Sequence, residues 1–333
     1  MKIGIIGTGT WGTALASVLV DNGNTVLMYG RDRDQVDDIN NNHRNTKYYG
    51  TSINLSESIK ATSSIDEFAN RTPIVILSVP SSAMRTVLVQ LKSVLDRKTL
   101  FINTAKGFDS TEKIRIAELI REIIPENLRG EVVSLIGPSH AEEVIVKHLT
   151  LLCAVSKSLS RAKKVQRLFS NDYFRVYTQK DEIGAEYSVA MKNVIAIASG
   201  IIDGLKCGDN AKAALVTRGL SEMIVFGKFF GGKEKTYLGL TGIGDLMVTC
   251  NSLHSRNYRA GLCIGKDDSA RNFLKNNTET VEGLKATEVI YEIARSNNLS
   301  LPIVEALYSV LYRNAKPSSV IKQLMIRPLR SED

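Results

Sequence analysis

The stretch Gly7-Thr8-Gly9-Thr10-Trp11-Gly12 decides how the rest of this chain reads. It follows the apolar run Lys2-Ile3-Gly4-Ile5-Ile6 and opens onto an apolar-periodic segment, Trp11 to Val20. The pattern is a strand, a Gly-rich turn and a helix. In such a turn Gly7 allows the tight bend, Gly9 lets the backbone approach a pyrophosphate, and Gly12 lets the helix pack closely on the strand. The free N–H groups and positive dipole end at the helix start suit an anion. A GxGxxG alone is a weak signal; its place between strand and helix makes it a dinucleotide signal, against the bland alternative of a turn with no ligand.

Outward from this turn, Thr25 to Gly30 is a second apolar strand, closing a βαβ unit of about thirty residues. At the end of that strand an NAD site places an acidic residue on the ribose 2′-hydroxyl, whereas this chain reads Gly30-Arg31-Asp32-Arg33. A guanidinium pairs with a 2′-phosphate, so NADP(H) is favoured, and Asp32 one place later keeps NAD(H) open. Residues 50 to 70 are polar and strand-poor, with a helical turn capped by Ser64. The β-branched run Pro73 to Val79 predicts a doubly buried parallel strand. Helix Ser82–Leu95, strand Thr99–Thr104, helix Thr111–Ile124 and strand Val132–Ile136 extend the alternation. Strand-like runs Leu149–Val155 and Phe174–Tyr177 flank a basic helix, Ser160–Phe169. From about Asp181 the pattern becomes helical throughout.

The expected fold class is therefore α/β: an N-terminal Rossmann-type doubly wound parallel sheet over residues 1–181 and a C-terminal all-helical domain over 182–333. Two domains also suit a length of 333 residues. With 43% hydrophobic and 23% charged residues, the composition is that of an ordinary globular protein. Cys153, Cys207, Cys250 and Cys263 lack paired or metal-ligand spacing and read as reduced, mostly buried thiols, with no metal site expected. The first strand begins at once, leaving no n-region of a signal peptide, and the longest uncharged apolar segment, Asn193 to Ile202, is about half a membrane span. The expectation is a cytoplasmic protein without membrane insertion. The net charge of +8 is scattered, without interleaved aromatics, which argues against nucleic acid and for anionic small molecules.

Several strand ends are too polar for mere turns. Asn103-Thr104-Ala105-Lys106-Gly107 brings a lysine, and Gly137-Pro138-Ser139-His140-Ala141 a second polar loop, to the carboxyl edge where the glycine turn lies. In Ala190-Met191-Lys192-Asn193-Val194 a lysine sits in an apolar helix, at a desolvation cost of several kcal/mol unless it is paired or faces a cleft. Desolvation lowers a lysine's pKa toward the range of proton transfer; a snorkelling lysine is the plainer alternative. Leu240-Thr241-Gly242-Ile243-Gly244-Asp245 brings an aspartate out of a Gly-flanked turn, suited to orienting a lysine. His254-Ser255-Arg256-Asn257 gathers donors for a phosphate, with a capped helix start as the alternative. His254 with Asp245 is a rival general-acid pair to Lys192.

Taken together, GTGTWG at 7–12, AKGFD at 105–109, GPSHAEEV at 137–144, AMKNV at 190–194, GDNAKAALVTRGL at 208–220, LTGIGDLMVTC at 240–250 and HSRN at 254–257 resemble bacterial NAD(P)-dependent glycerol-3-phosphate dehydrogenase, in order and spacing, over about residues 1 to 325. The resemblance implies that Lys192 is the proton donor and acceptor, and that Lys106 contacts cofactor and substrate. It implies that Gly137 and Ser139 line the substrate and that Ala141 touches the cofactor. Asp245, Ser255, Arg256 and Asn257 would complete the substrate site, Arg256 also approaching the cofactor. Thr10, Trp11, Arg31 and Glu282 would hold the dinucleotide.

The implied reaction is hydride transfer between NAD(P)H and dihydroxyacetone phosphate to give sn-glycerol 3-phosphate, the backbone of glycerophospholipids, with domain closure excluding water and a homodimer by analogy. Many relatives carry ALKN where this chain has AMKN, a swap of similar volume. The rival functions are a related 3-hydroxyacid dehydrogenase, which needs a carboxylate pocket, and a non-catalytic NADP(H)-binding regulator.

Overall fold

The computed structural model describes residues 1–109, 111–329 and 331, and falls into two compact units, Met1–Glu186 and Tyr187–Asp333. In the first, strands β1 (Lys2–Ile6), β2 (Thr25–Tyr29), β3 (Ile59–Thr62), β4 (Ile74–Leu77), β5 (Leu100–Asn103), β6 (Val133–Ile136), β7 (Thr150–Val155) and β8 (Phe174–Gln179) form one sheet in the order β3-β2-β1-β4-β5-β6-β7-β8. Helices α1 (Thr10–Asp21), α2 (Arg33–Asp37), α3 (Thr46–Tyr49), α4 (Ile65–Arg71), α5 (Ser81–Val94), α6 (Ile116–Ile123), α7 (Ala141–Val144) and α8 (Leu159–Phe169) connect them.

Both faces of the central strands are dry, and the side chains sort with the period of two that a strand imposes. Ile74 and Ile76 join Leu100 and Ile102 in a core with Leu15, Leu19, Val165 and Phe169 of α1 and α8. Val75, Leu77 and Phe101 face the other way, into a core with Phe68, Met84, Leu88 and Ile120 of α4, α5 and α6. Such continuous apolar runs are what a parallel sheet covered on both sides requires.

The structure departs from the sequence expectation in three places. First, β3 and all but the last residue of α4 lie in residues 50–70, expected to be strand-poor; β3 is short, an edge strand with Lys60 exposed, and so lacks the apolar run that betrays a buried strand. The Ser64 cap is present, its Oγ accepting from Glu67 N at 3.2 Å. Second, the sheet is not wholly parallel: β7 runs antiparallel to β6, pairing Ser134 with Val155 and Ile136 with Cys153. The β6–β7 connection holds only the four-residue α7, too little helix for a crossover, whereas the eleven-residue α8 carries the chain to a parallel β8. Third, α6 starts at Ile116 rather than Thr111, because Phe108 and Arg115 bridge and Asp109 N donates to Ile114 O at 3.0 Å.

The second unit is helical: α9 (Glu182–Gly204), which begins in the first unit, then α10 (Asp209–Phe229), α11 (Glu234–Tyr237), a π-helical turn Leu240–Gly244, α12 (Asp245–Asn251), α13 (Arg256–Lys266), α14 (Arg271–Asn276), α15 (Glu282–Ser296), α16 (Pro302–Tyr312) and α17 (Pro317–Met325). Its organising contact is between α9 and α13, where backbone meets backbone. A Cβ at Gly200 would stand 2.1 Å from Tyr258 O, and one at Gly261 2.0 Å from Ile197 O. Only glycine permits that approach, and it draws the start of α13 toward the stretch of α9 that carries Lys192.

Candidate active site

In the first unit the glycine turn is built as the motif requires. Gly7 has φ +113°, and a Cβ there would stand 2.3 Å from Ser78 O; a Cβ at Gly12 would stand 2.2 Å from Gly7 O. Gly9, the N-cap of α1, is different: a Cβ there would meet nothing within 4 Å. The protein's own packing does not demand a glycine at that position, whereas a pyrophosphate lying on the backbone does, so the residues present fit a dinucleotide.

Around the turn stands a buried polar lattice. Thr8 Oγ1 donates to Gln35 Oε1 at 2.8 Å, Gln35 Nε2 to Thr8 O at 2.7 Å and to Asn45 Oδ1 at 2.8 Å. Asn45 Nδ2 donates to Thr8 O at 2.9 Å and to Thr13 Oγ1 at 2.7 Å, and Tyr49 OH to Thr10 O at 2.8 Å. These side chains reach the turn from α2, α3 and the residue before α3, so the loop is held before any ligand arrives. Thr10 and Trp11 open α1, half-buried.

At the end of β2, Arg31 is exposed. Asp32 is committed elsewhere: Oδ1 caps α2 by accepting from Gln35 N at 3.3 Å, and Oδ2 takes the Lys47 ammonium at 2.7 Å. The Lys47 and Gln35 hydrogen bonds hold its carboxyl below the usual range.

Lys106 follows β5 on a turn shaped by Asn103, whose Oδ1 accepts from Ala105 N at 3.0 Å. Beyond it, Asp109 takes a two-pronged bond from Arg85 at 2.6 and 3.1 Å. Gly137 and Ser139 follow β6, Ser139 Oγ donating to Gly137 O at 3.3 Å, and Ala141 opens α7.

In the second unit, Lys192 and Asp245 are 3% and 0% exposed, so neither charge reaches bulk water and each needs the other. Lys192 Nζ donates to Asp245 Oδ1 and, at 2.8 Å, to Thr249 Oγ1. Thr249 Oγ1 in turn donates to Asp245 O at 2.6 Å. The lysine is thus paired rather than snorkelling. Asp245 is placed by the π-helical turn, where Gly242 leaves helical geometry, with φ −108° and ψ −105°.

Thr249 escaped the sequence reading, although it lies one helical turn after Asp245 and so on the same face. His254, the rival partner for Asp245, is exposed, while Asp245 Oδ1 accepts from Lys192.

The residues around α13 are only partly as expected. Arg256 is exposed. Ser255, however, caps α13, its Oγ accepting from Tyr258 N at 3.2 Å, and Asn257 Oδ1 accepts from Gly283 N at 2.8 Å. Both are buried, and each keeps a donor: the Ser255 hydroxyl hydrogen and the Asn257 amide. Asn193 Nδ2 donates to Glu282 Oε2 at 3.4 Å, which sets Glu282 at the start of α15 beside the lysine helix. The cysteines divide evenly, correcting the expectation that most are buried: Cys207 and Cys263 are exposed. Burial pushes the Cys153 and Cys250 thiols up to about 11 and about 12, far from nucleophilic use.

Comparison with known proteins matches this assembly over nearly its whole length. A family model described as NAD-dependent glycerol-3-phosphate dehydrogenase N-terminus matches residues 2–162, and its C-terminal counterpart residues 181–322. The chain is 45% identical over 331 residues to glycerol-3-phosphate dehydrogenase [NAD(P)+] of Staphylococcus haemolyticus, covering 99% of both chains. It is 44% identical to the Bacillus subtilis enzyme of the same name, over 98% of this chain and 94% of that one. The crystal structure of glycerol-3-phosphate dehydrogenase from Coxiella burnetii superposes with a TM-score of 0.91 at 32% identity, over 98% and 99% of the two chains. The mostly parallel sheet with its cradle for a dinucleotide, the helical unit with its buried lysine, and these matches together show that the chain belongs to the NAD-dependent glycerol-3-phosphate dehydrogenase family.

Proposed function

We propose that this chain reversibly transfers a hydride between NAD(P)H and C2 of dihydroxyacetone phosphate, giving sn-glycerol 3-phosphate for glycerophospholipids. The observation that carries the reading is the buried Lys192–Asp245–Thr249 cluster in a chain 45% identical to a named glycerol-3-phosphate dehydrogenase. Bound nicotinamide supplies the hydride.

The chain's own residues do the rest. Lys192 stabilises the oxygen that becomes an alkoxide at C2 and delivers its proton there; in the reverse direction it takes the proton back. Asp245 and Thr249 orient the ammonium, and the Asp245 charge offsets the cost of burying it. Arg256, with the remaining donors of Ser255 and Asn257, grips the phosphate and so fixes C2 for attack. Lys106 adds positive charge beside cofactor and substrate, Gly137 and Ser139 line the substrate, and Ala141, Glu282, Thr10 and Trp11 hold the dinucleotide.

Arg31 reads the cofactor's 2′-phosphate. Asp32 already accepts from Gln35 N and from the Lys47 ammonium, which makes it a weaker competitor for a 2′-hydroxyl and supports NADP(H) over NAD(H). The same proposal places the enzyme in the cytoplasm as a homodimer, to be checked by fractionation and sedimentation.

Loss of reduced-nicotinamide absorbance on adding dihydroxyacetone phosphate, faster with NADPH than with NADH, is the expected result. No oxidation with either cofactor would favour a binding protein, and turnover of 3-hydroxyacids instead would favour the related dehydrogenase.

A further inference from the structure

Glu186 is a buried carboxylate with no part in hydride transfer. It lies one helical turn after Glu182 on α9, and its oxygens collect donors from three other segments. Oε1 accepts from Ser134 Oγ of β6 at 2.8 Å, from Ala117 N of α6 at 3.3 Å and from Asn103 Nδ2 at the end of β5 at 3.4 Å. Oε2 accepts from Arg115 Nη1 at 3.2 Å.

The charged groups facing it are Arg115 and Glu182. One contact further lie Glu118, bonded to Arg115 at 3.3 Å, and Arg121, bonded to Glu182 at 2.7 Å. Asn103 is the bridge to the site. Its amide nitrogen reaches both Glu186 and, at 3.3 Å, Ser134, while its oxygen accepts from Ala105 N at 3.0 Å and shapes the turn that carries Lys106.

We infer that Glu186 is a positioning residue for Lys106, holding the Asn103 side chain, and through it the turn after β5, in the geometry the reaction needs. The inference rests on the Lys106 role proposed above. The ionised carboxylate is acceptor-only and satisfies all four donors; once protonated it presents a donor of its own and must release one of them. The Asn103 bond, the longest of the four, is the weakest held. Burial first, and then the neighbouring Glu182 charge, push Glu186 up to about 7 against the pull of Arg115, so this exchange falls within the neutral range.

The test is a pH series of kcat and KM for dihydroxyacetone phosphate on the full chain, for wild type, E186Q, S134A, N103A, the double variant E186Q/N103A, and K106A as reference. Wild-type kcat/KM should fall as pH drops through about 7, and that inflection should vanish in E186Q. N103A should lose about tenfold in kcat/KM, S134A less, and E186Q should add nothing in the N103A background. NADPH affinity, read by fluorescence quenching, should stay within about twofold for E186Q and S134A.

An inflection that persists in E186Q, or losses that multiply in the double variant, overturn the inference. Should E186Q not fold, an S134A or N103A profile indistinguishable from wild type overturns it equally. Full activity of K106A overturns instead the reading beneath it.

Discussion

A cluster of buried charge in the first unit and another in the second are satisfied differently. Lys192 donates to Asp245 and to Thr249, so one cation meets one carboxylate and a hydroxyl. Arg115, Arg121, Glu182 and Glu186 form a network in which each charge has at least two partners: Arg115 bonds both carboxylates, and Arg121 lies 3.6 Å from Glu131 as well as bonding Glu182. Pairing one cation with one carboxylate keeps a proton on a group whose surroundings can change when substrate arrives. A network spreads the loss of any one member and so suits a scaffold. The glutamates show the division of labour: burial raises Glu182, but Arg121 and Arg115 outweigh it and hold that carboxyl below its ordinary range, leaving Glu186 the one pushed up.

The sharpest way to break this comparison is K192A, which should lower kcat on the order of 10³-fold with NADPH affinity largely kept. Near-normal turnover would remove the lysine from the chemistry. Next comes paired truncation. D245A removes the carboxylate facing the buried Lys192 ammonium and should cost about 3 kcal/mol or more, whereas E182A leaves Arg115 with Glu186 and Arg121 with Glu131, and should cost visibly less. Melting midpoints of the two variants decide it, and a larger drop for E182A would reverse the distinction between pair and network.

R256A removes an exposed cation rather than a buried one, so it should barely shift the melting point while raising KM for dihydroxyacetone phosphate about tenfold to a hundredfold. An unchanged KM would take the phosphate away from α13.

The smallest effect concerns a third way of burying charge. Glu222 accepts from Ile303 N at 2.7 Å and Val304 N at 3.3 Å, capping α16 with backbone donors in place of a cation. Burial pushes it up to about 7 from 4.5, so its contribution to stability is fully present below 4.5 and is lost as pH rises through about 7. E222Q should flatten the stability curve over that window, with a net change on the order of 1 kcal/mol at mildly alkaline pH, read by unfolding at stepped pH. A curve as steep as wild type would assign the acid-side stability to other carboxyls.

Much of this was legible in the chain itself. GTGTWG announced its strand, turn and helix because the requirement is local: a residue at φ +113° and a helix packed on a strand demand glycine wherever they occur. The run Pro73 to Val79 read as a buried strand because both its faces are dry. Lys192 stood out because an ammonium among apolar neighbours is costly.

What was missed has an equally physical cause. The strand at Ile59–Thr62 is short, broken by the exposed Lys60 and ended by a threonine, so it carries no apolar run. The reversal at β7 depends on how much helix a connection holds, not on the strand's own residues. Asn257 looks like a free donor in sequence because nothing near it reveals that Gly283 N already uses its oxygen, whereas at Ser255 the capped helix start is open as the alternative reading.

By itself, then, the sequence determined the βαβ beginning, the helical second half and the residue types of the chemistry, since propensity, periodicity and the cost of burying a charge act over a few neighbouring positions. Only the tertiary structure decided which groups meet. Lys192 finds Asp245 and Thr249 from more than fifty residues away, and Glu186 finds Asn103 from eighty-three. Such partners are chosen by packing, above all by the glycine contact of α9 with α13 and by the order of β5 and β6 in the sheet, and packing leaves no local mark on the chain.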